Sequence, residues 1–81
     1  MKLPRDVSGA ELARALQRVG YHVTRQTGSH MRLTTSERGE HHVKIPAHDS
    51  LRIGTLASIL GDVAAHLIIT RDDLASRLFG R

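Results

Sequence analysis

Eighty-one residues, 40% of them hydrophobic and none of them cysteine, allow one hydrophobic core and exclude both disulfide frameworks and thiolate metal sites. Twelve Lys and Arg against eight Asp and Glu give a net charge of +4, and a folded basic surface points first to nucleic acid. With Tyr21 and Phe79 as the only Tyr, Phe or Trp, an OB-fold or RRM-like binder with stacked aromatic platforms loses most of its support, and contact with the phosphate backbone is favoured. The expectation is a single domain over residues 1–81 in a reducing, cytoplasmic setting. The opening Met-Lys-Leu-Pro-Arg-Asp lacks the apolar stretch of a secretion signal, and no run approaches a membrane span, so a soluble chain with no membrane partner is expected.

The first element is a helix. Ser8 and Glu11 have capping-box spacing, Val7 and Leu12 suit a hydrophobic staple, and Leu12, Leu16 and Val19 continue an apolar stripe until Gly20 stops it. Alternation over Tyr21–Gln26 and His30–Thr35, with Thr27-Gly28-Ser29 as the turn, predicts a hairpin. A second turn around Ser36–Gly39 leads to a third strand over His41–Ile45, which Pro46 ends. Leu56, Ile59, Leu60 and Val63 then form one stripe of a second helix starting at Gly54. A further capping box at Thr70 and Asp73, with Ile69 and Leu74 as its staple, opens a short last helix. The order is α-β-β-β-α with an additional short C-terminal helix. This is an α+β chain with a three-stranded antiparallel sheet covered by helices on one face, the layout of the double-stranded RNA-binding-like fold.

Alternation also sorts the side chains. With Met31, Leu33, Val43 and Ile45 inward, His30, Arg32, Thr34, His42 and Lys44 point to the open face. A histidine and two cations therefore gather beside the Gly28 turn.

Three ordered motifs lie on this frame: Gly28-Ser29-His30 at the start of the second strand, Pro46-Ala47-His48 after the third, and Gly54-Thr55-Leu56-Ala57-Ser58-Ile59 opening the second helix. Together they resemble the HicA toxin family, whose pattern is a Gly-Ser-His triplet, a Pro-x-His element and a Gly-Thr-Leu-x-x-Ile helix start. The resemblance runs from Ser8 to Phe79. It implies a double-stranded RNA-binding-like fold, cleavage of messenger RNA, neutralisation by a HicB-like antitoxin, and His30 as the catalytic residue.

The chemistry suits the residue type, because imidazole exchanges a proton near neutral pH. RNA carries its own nucleophile: if His30 deprotonates a ribose 2′-hydroxyl, in-line attack on the adjacent phosphorus needs no metal or other cofactor. Arg32 and Lys44 are candidates to stabilise the phosphorane oxygens. His48 is a candidate to protonate the leaving oxygen, or else a phosphate contact or a turn residue. Gly28, with Ser29, would let phosphate approach the backbone near His30, Gly28 by taking positive φ. Arg52, Gly54 and Thr55, at a helix start where free amides favour anions, are assigned to substrate binding. Six histidines raise the question of a metal, but His41 and His42 are strand neighbours facing opposite ways, and no spacing has the form of a zinc site. The competing reading is a non-catalytic RNA-binding module of the same fold.

Overall fold

The computed structural model describes residues 3–80. Helix α1 (Gly9–Leu16) starts as its sequence requires: the amide of Glu11 donates to Ser8 Oγ and the amide of Ser8 to Glu11 Oε1, both at 3.0 Å. The bond from the Ser8 amide, then that from its hydroxyl, holds the Glu11 carboxyl below the usual carboxylate range. Leu12 and Leu16 are fully buried, each such side chain contributing about 1.5–3 kcal/mol relative to exposure. The helix tightens into a 3-10 turn (Gln17–Val19), and Gly20, with φ 96°, turns the chain toward the sheet. Gly9 has no room for a side chain, because a β-carbon there would overlap the carbonyl of Pro46. Its amide donates to the His48 carbonyl at 2.9 Å, and the amide of Leu51 donates to Val7 at 2.7 Å. The start of α1 is thereby fastened to the segment that leaves the sheet.

Strands β1 (His22–Gln26), β2 (His30–Thr35) and β3 (His41–Pro46) form one antiparallel sheet in the order β1-β2-β3. Met31, Leu33, Val43 and Ile45 are buried beneath α1 and α2, as alternation demands. β1 departs from the expectation of a half-buried strand, since all five of its residues are exposed. Only Tyr21, just before it, enters the core. β1 is also irregular: Val23 pairs with Leu33 and Arg25 with Arg32, so Thr24 is an extra residue, a β-bulge.

Helix α2 (Ile53–Leu67) packs on β3 and buries Leu56, Ile59, Leu60, Val63 and Ala64. It runs four residues past Val63, where the expected apolar stripe ends, and stops at Ile68 in the left-handed conformation (φ 58°, ψ 49°). Helix α3 (Arg71–Phe79) turns through 107° from α2 and buries Leu74, Ala75 and Leu78. Its cap is one-sided: Thr70 Oγ1 accepts from the Asp73 amide at 3.0 Å, but Asp73 turns to Arg77 rather than back to Thr70. Arg18 ties α3 to the other end of the helical layer by donating to the Leu78 carbonyl at 2.9 Å. The architecture is the α+β, double-stranded RNA-binding-like arrangement, with helices on one face and the other open. No single helix among the described residues is long and apolar enough to cross a membrane.

Candidate active site on the open face of the sheet

Three cross-strand rows make up the open face. In the row farthest from the β1–β2 turn, His22 faces Thr34 and Thr34 faces His42. Side chains satisfy one another here. With His42 neutral, its Nε2–H donates to Glu40 Oε2 at 2.8 Å, so Nδ1 accepts from the Thr34 hydroxyl at 2.7 Å. The Thr34 oxygen in turn accepts from the Thr24 hydroxyl at 2.8 Å, which holds the bulge.

The middle row differs. Arg25, Arg32 and Lys44 stand directly opposite one another across all three strands, all exposed, and the ion pairs among the described residues include none of them. Like charges at directly opposed positions repel and would be selected against on an ordinary sheet face. Sequence reasoning found Arg32 and Lys44 but missed Arg25. Unbroken alternation puts Arg25 on the same side as Tyr21 and Val23, toward the core; the extra residue Thr24 returns it to the open side. No motif announces that bulge.

His30 comes next, opposite Pro46. Its backbone is held by the turn, with the Thr27 amide donating to the His30 carbonyl at 2.9 Å and the Ala47 amide to the Ser29 carbonyl at 2.9 Å. Ser29 Oγ lies 3.0 Å from His30 Nδ1. If Nδ1–H donates to Ser29, Nε2 keeps a free lone pair, and no described residue bonds to it. Two hollows meet at this histidine. One, of about 350 Å³, is lined by Arg25, Thr27, His30, Met31, Arg32 and Lys44. The other, of about 470 Å³, reaches the start of α2 and includes Lys44, Pro46, Gly54, Thr55 and Ser58. His30 and Lys44 border both.

The remaining expected residues are distributed unevenly. Gly54 and Thr55 join His30 along the second hollow. Arg52, the extended N-cap residue of α2, and His48, whose carbonyl serves Gly9, are exposed and border neither hollow. Gly28 lies in the turn with open space where a β-carbon would go, but its φ is not positive, so freedom of φ is not why glycine stands there. Among the described residues, no three His, Asp or Glu side chains come together as metal ligands. His41 and His66 are instead stacked 4.4 Å apart at the opposite end of the sheet, engaged with Asp62 and with the carbonyls of Glu37 and Gly39.

The model of a family described as the HicA toxin of bacterial toxin-antitoxin systems matches residues 9–64, well over half of the chain. The chain belongs to the HicA toxin family. The matched stretch takes in α1, the whole sheet and most of α2, with the Gly-Ser-His, Pro-x-His and Gly-Thr-Leu-x-x-Ile motifs inside it. Comparison with curated proteins and with solved structures finds no significant match. As a HicA toxin, the protein is the toxin component of a toxin–antitoxin system.

Proposed function

We propose that this HicA toxin is a metal-independent ribonuclease that cleaves messenger RNA with His30 as its catalytic residue, and that a HicB-like antitoxin neutralises it in the cytoplasm. The observation that carries the reading is the Ser29–His30 contact beside the cation row. With Nδ1–H engaged by Ser29, Nε2 is the base, in a hollow bordered by Arg25, Arg32 and Lys44. The proton of a ribose 2′-hydroxyl passes to Nε2, and the 2′-oxygen attacks phosphorus in line. The bond from phosphorus to the 5′-oxygen breaks, and the leaving oxygen takes a proton. The products are a 2′,3′-cyclic phosphate and a 5′-hydroxyl end. Lys44 and Arg32 balance the charge of the phosphorane, and Gly28, Ser29, Thr55 and Gly54 border the path of the backbone. Because His48 and Arg52 stand outside both hollows, we assign them to outlying phosphate contact and protonation of the leaving oxygen to water, which reaches this open face freely.

Labelled RNA incubated with the purified chain in EDTA tests the proposal. Cleavage to cyclic-phosphate ends is expected. It should be lost with His30→Ala and with 2′-deoxy substitution at the scissile position. A mobility shift without cleavage would instead make the chain a non-catalytic RNA-binding module. Co-expression with the antitoxin should restore growth, and the antitoxin should compete with RNA for the open face, where carboxylates would pair with the same cations.

A further inference from the structure

We propose that Arg25, Arg32 and Lys44 form a phosphate rail that draws one unpaired RNA strand across the sheet, perpendicular to the β-strands, and that Arg25 is its outermost positioning residue. This rests on the ribonuclease reading of His30 and adds to it a direction, a strand number and a residue.

Three observations converge. First, the row is straight: Arg25 is in register with Arg32, and Arg32 with Lys44. Two interstrand steps make it roughly 10 Å long, room for consecutive phosphates of a single strand. Second, no ion pair among the described residues neutralises the row, while in the neighbouring row Thr34 and His42 are closed by hydrogen bonds with Thr24 and Glu40. Three cations held in opposition without an acidic partner cost folding energy, which a bound polyanion would offset. Third, Arg25 owes its place to one inserted residue. Thr24 Oγ1 lies 2.8 Å from Thr34 Oγ1 and 3.3 Å from the Arg32 carbonyl, so the bulge is fixed from the same face that the rail occupies. The hollow between rail and His30 is bordered by all three cations, so a strand lying on them passes the imidazole.

The strand must be unpaired, because in-line attack sets the 2′-oxygen opposite the departing 5′-oxygen, a geometry that regular A-form pairing does not allow. Recognition through phosphates, with no Phe, Tyr or Trp on this face, makes it tolerant of base sequence.

The test reads binding in a background that does not cut. A fluorescent single-stranded RNA of about twelve mixed nucleotides is titrated by anisotropy with the His30→Ala chain over a range of salt concentrations. Adding Arg25→Ala should weaken binding by about tenfold and reduce the salt slope by about 0.7, the share of one phosphate on a single strand. Arg25→Lys should keep the slope. Arg14→Ala, which removes an exposed cation from α1, should change affinity less than twofold. Equal effects of Arg25→Ala and Arg14→Ala would overturn the rail, as would loss of slope in Arg25→Lys. An equal Arg25 dependence on a fully paired duplex would overturn the single-strand assignment. Failure of the parent chain to cleave RNA bears on His30 and leaves this measurement standing.

Discussion

The hydroxyl of Tyr21, fully buried, lies 2.7 Å from Nδ1 of His41, whose Nε2 lies 3.3 Å from an Asp62 carboxylate oxygen. A carboxylate only accepts, so in the neutral ring Nε2 carries the proton and Nδ1 accepts from the phenol. Tyr21→Phe strands that acceptor and should cost about 1–2 kcal/mol, read as a lower melting temperature. RNA cleavage at the other end of the sheet should persist.

Burial, and then the charge of Asp62, push the Tyr21 phenol up to about 12. A phenol whose folded value exceeds its unfolded value of about 10 contributes stability that is complete below pH 10 and lost as pH rises toward 12. Denaturant titrations across this window should show the parent chain losing stability faster than Tyr21→Phe. Tyr21 is the only tyrosine, so tyrosinate absorbance follows it alone.

Ile68 ends α2 in the left-handed conformation and is 72% exposed. A β-branched residue is strained there, and its side chain gains little burial in return. Ile68→Gly should stabilise the fold by about 1 kcal/mol, seen as a higher urea midpoint at unchanged slope. A lower midpoint would mean that the side chain packs more usefully than its exposure suggests.

Arg32 has a cation on either side of it across the sheet. Arg32→Thr should raise stability by about 0.5 kcal/mol while RNA cleavage falls. A variant that lost both would point to a packing role for the arginine stem.

At Gly28 the added methyl of Gly28→Ala would meet no protein atom and face no forbidden φ. Stability should therefore stay within about 0.5 kcal/mol. If phosphate passes close to this backbone, cleavage should fall by about tenfold or more. Full activity in the variant would show that the strand keeps clear of the turn.

What was legible in the sequence was what local periodicity encodes. Ser8 and Glu11 cap each other because the spacing leaves little alternative, and Met31, Leu33, Val43 and Ile45 face inward because the strand period is two. The open-face set of His30, Arg32, Thr34, His42 and Lys44 followed from the same period. Features set by a distant partner were not legible. The bulge at Thr24 depends on register with Leu33 and Arg32, the need for glycine at position 9 depends on Pro46, and the end of α2 at Ile68 uses a residue type that favours extended backbone. Arg25 was hidden for the first of these reasons.

The bulge in β1 has a second consequence. That strand is an edge of a three-stranded sheet, exposed at every residue, and a straight edge of this kind invites pairing with another chain. An inserted residue breaks the regular spacing of its free amides and carbonyls and twists the ribbon, while Arg25 sets a charge beside the irregularity. The same local defect that aims a cation should therefore resist edge-to-edge aggregation, and deleting Thr24 to restore a regular strand should increase self-association.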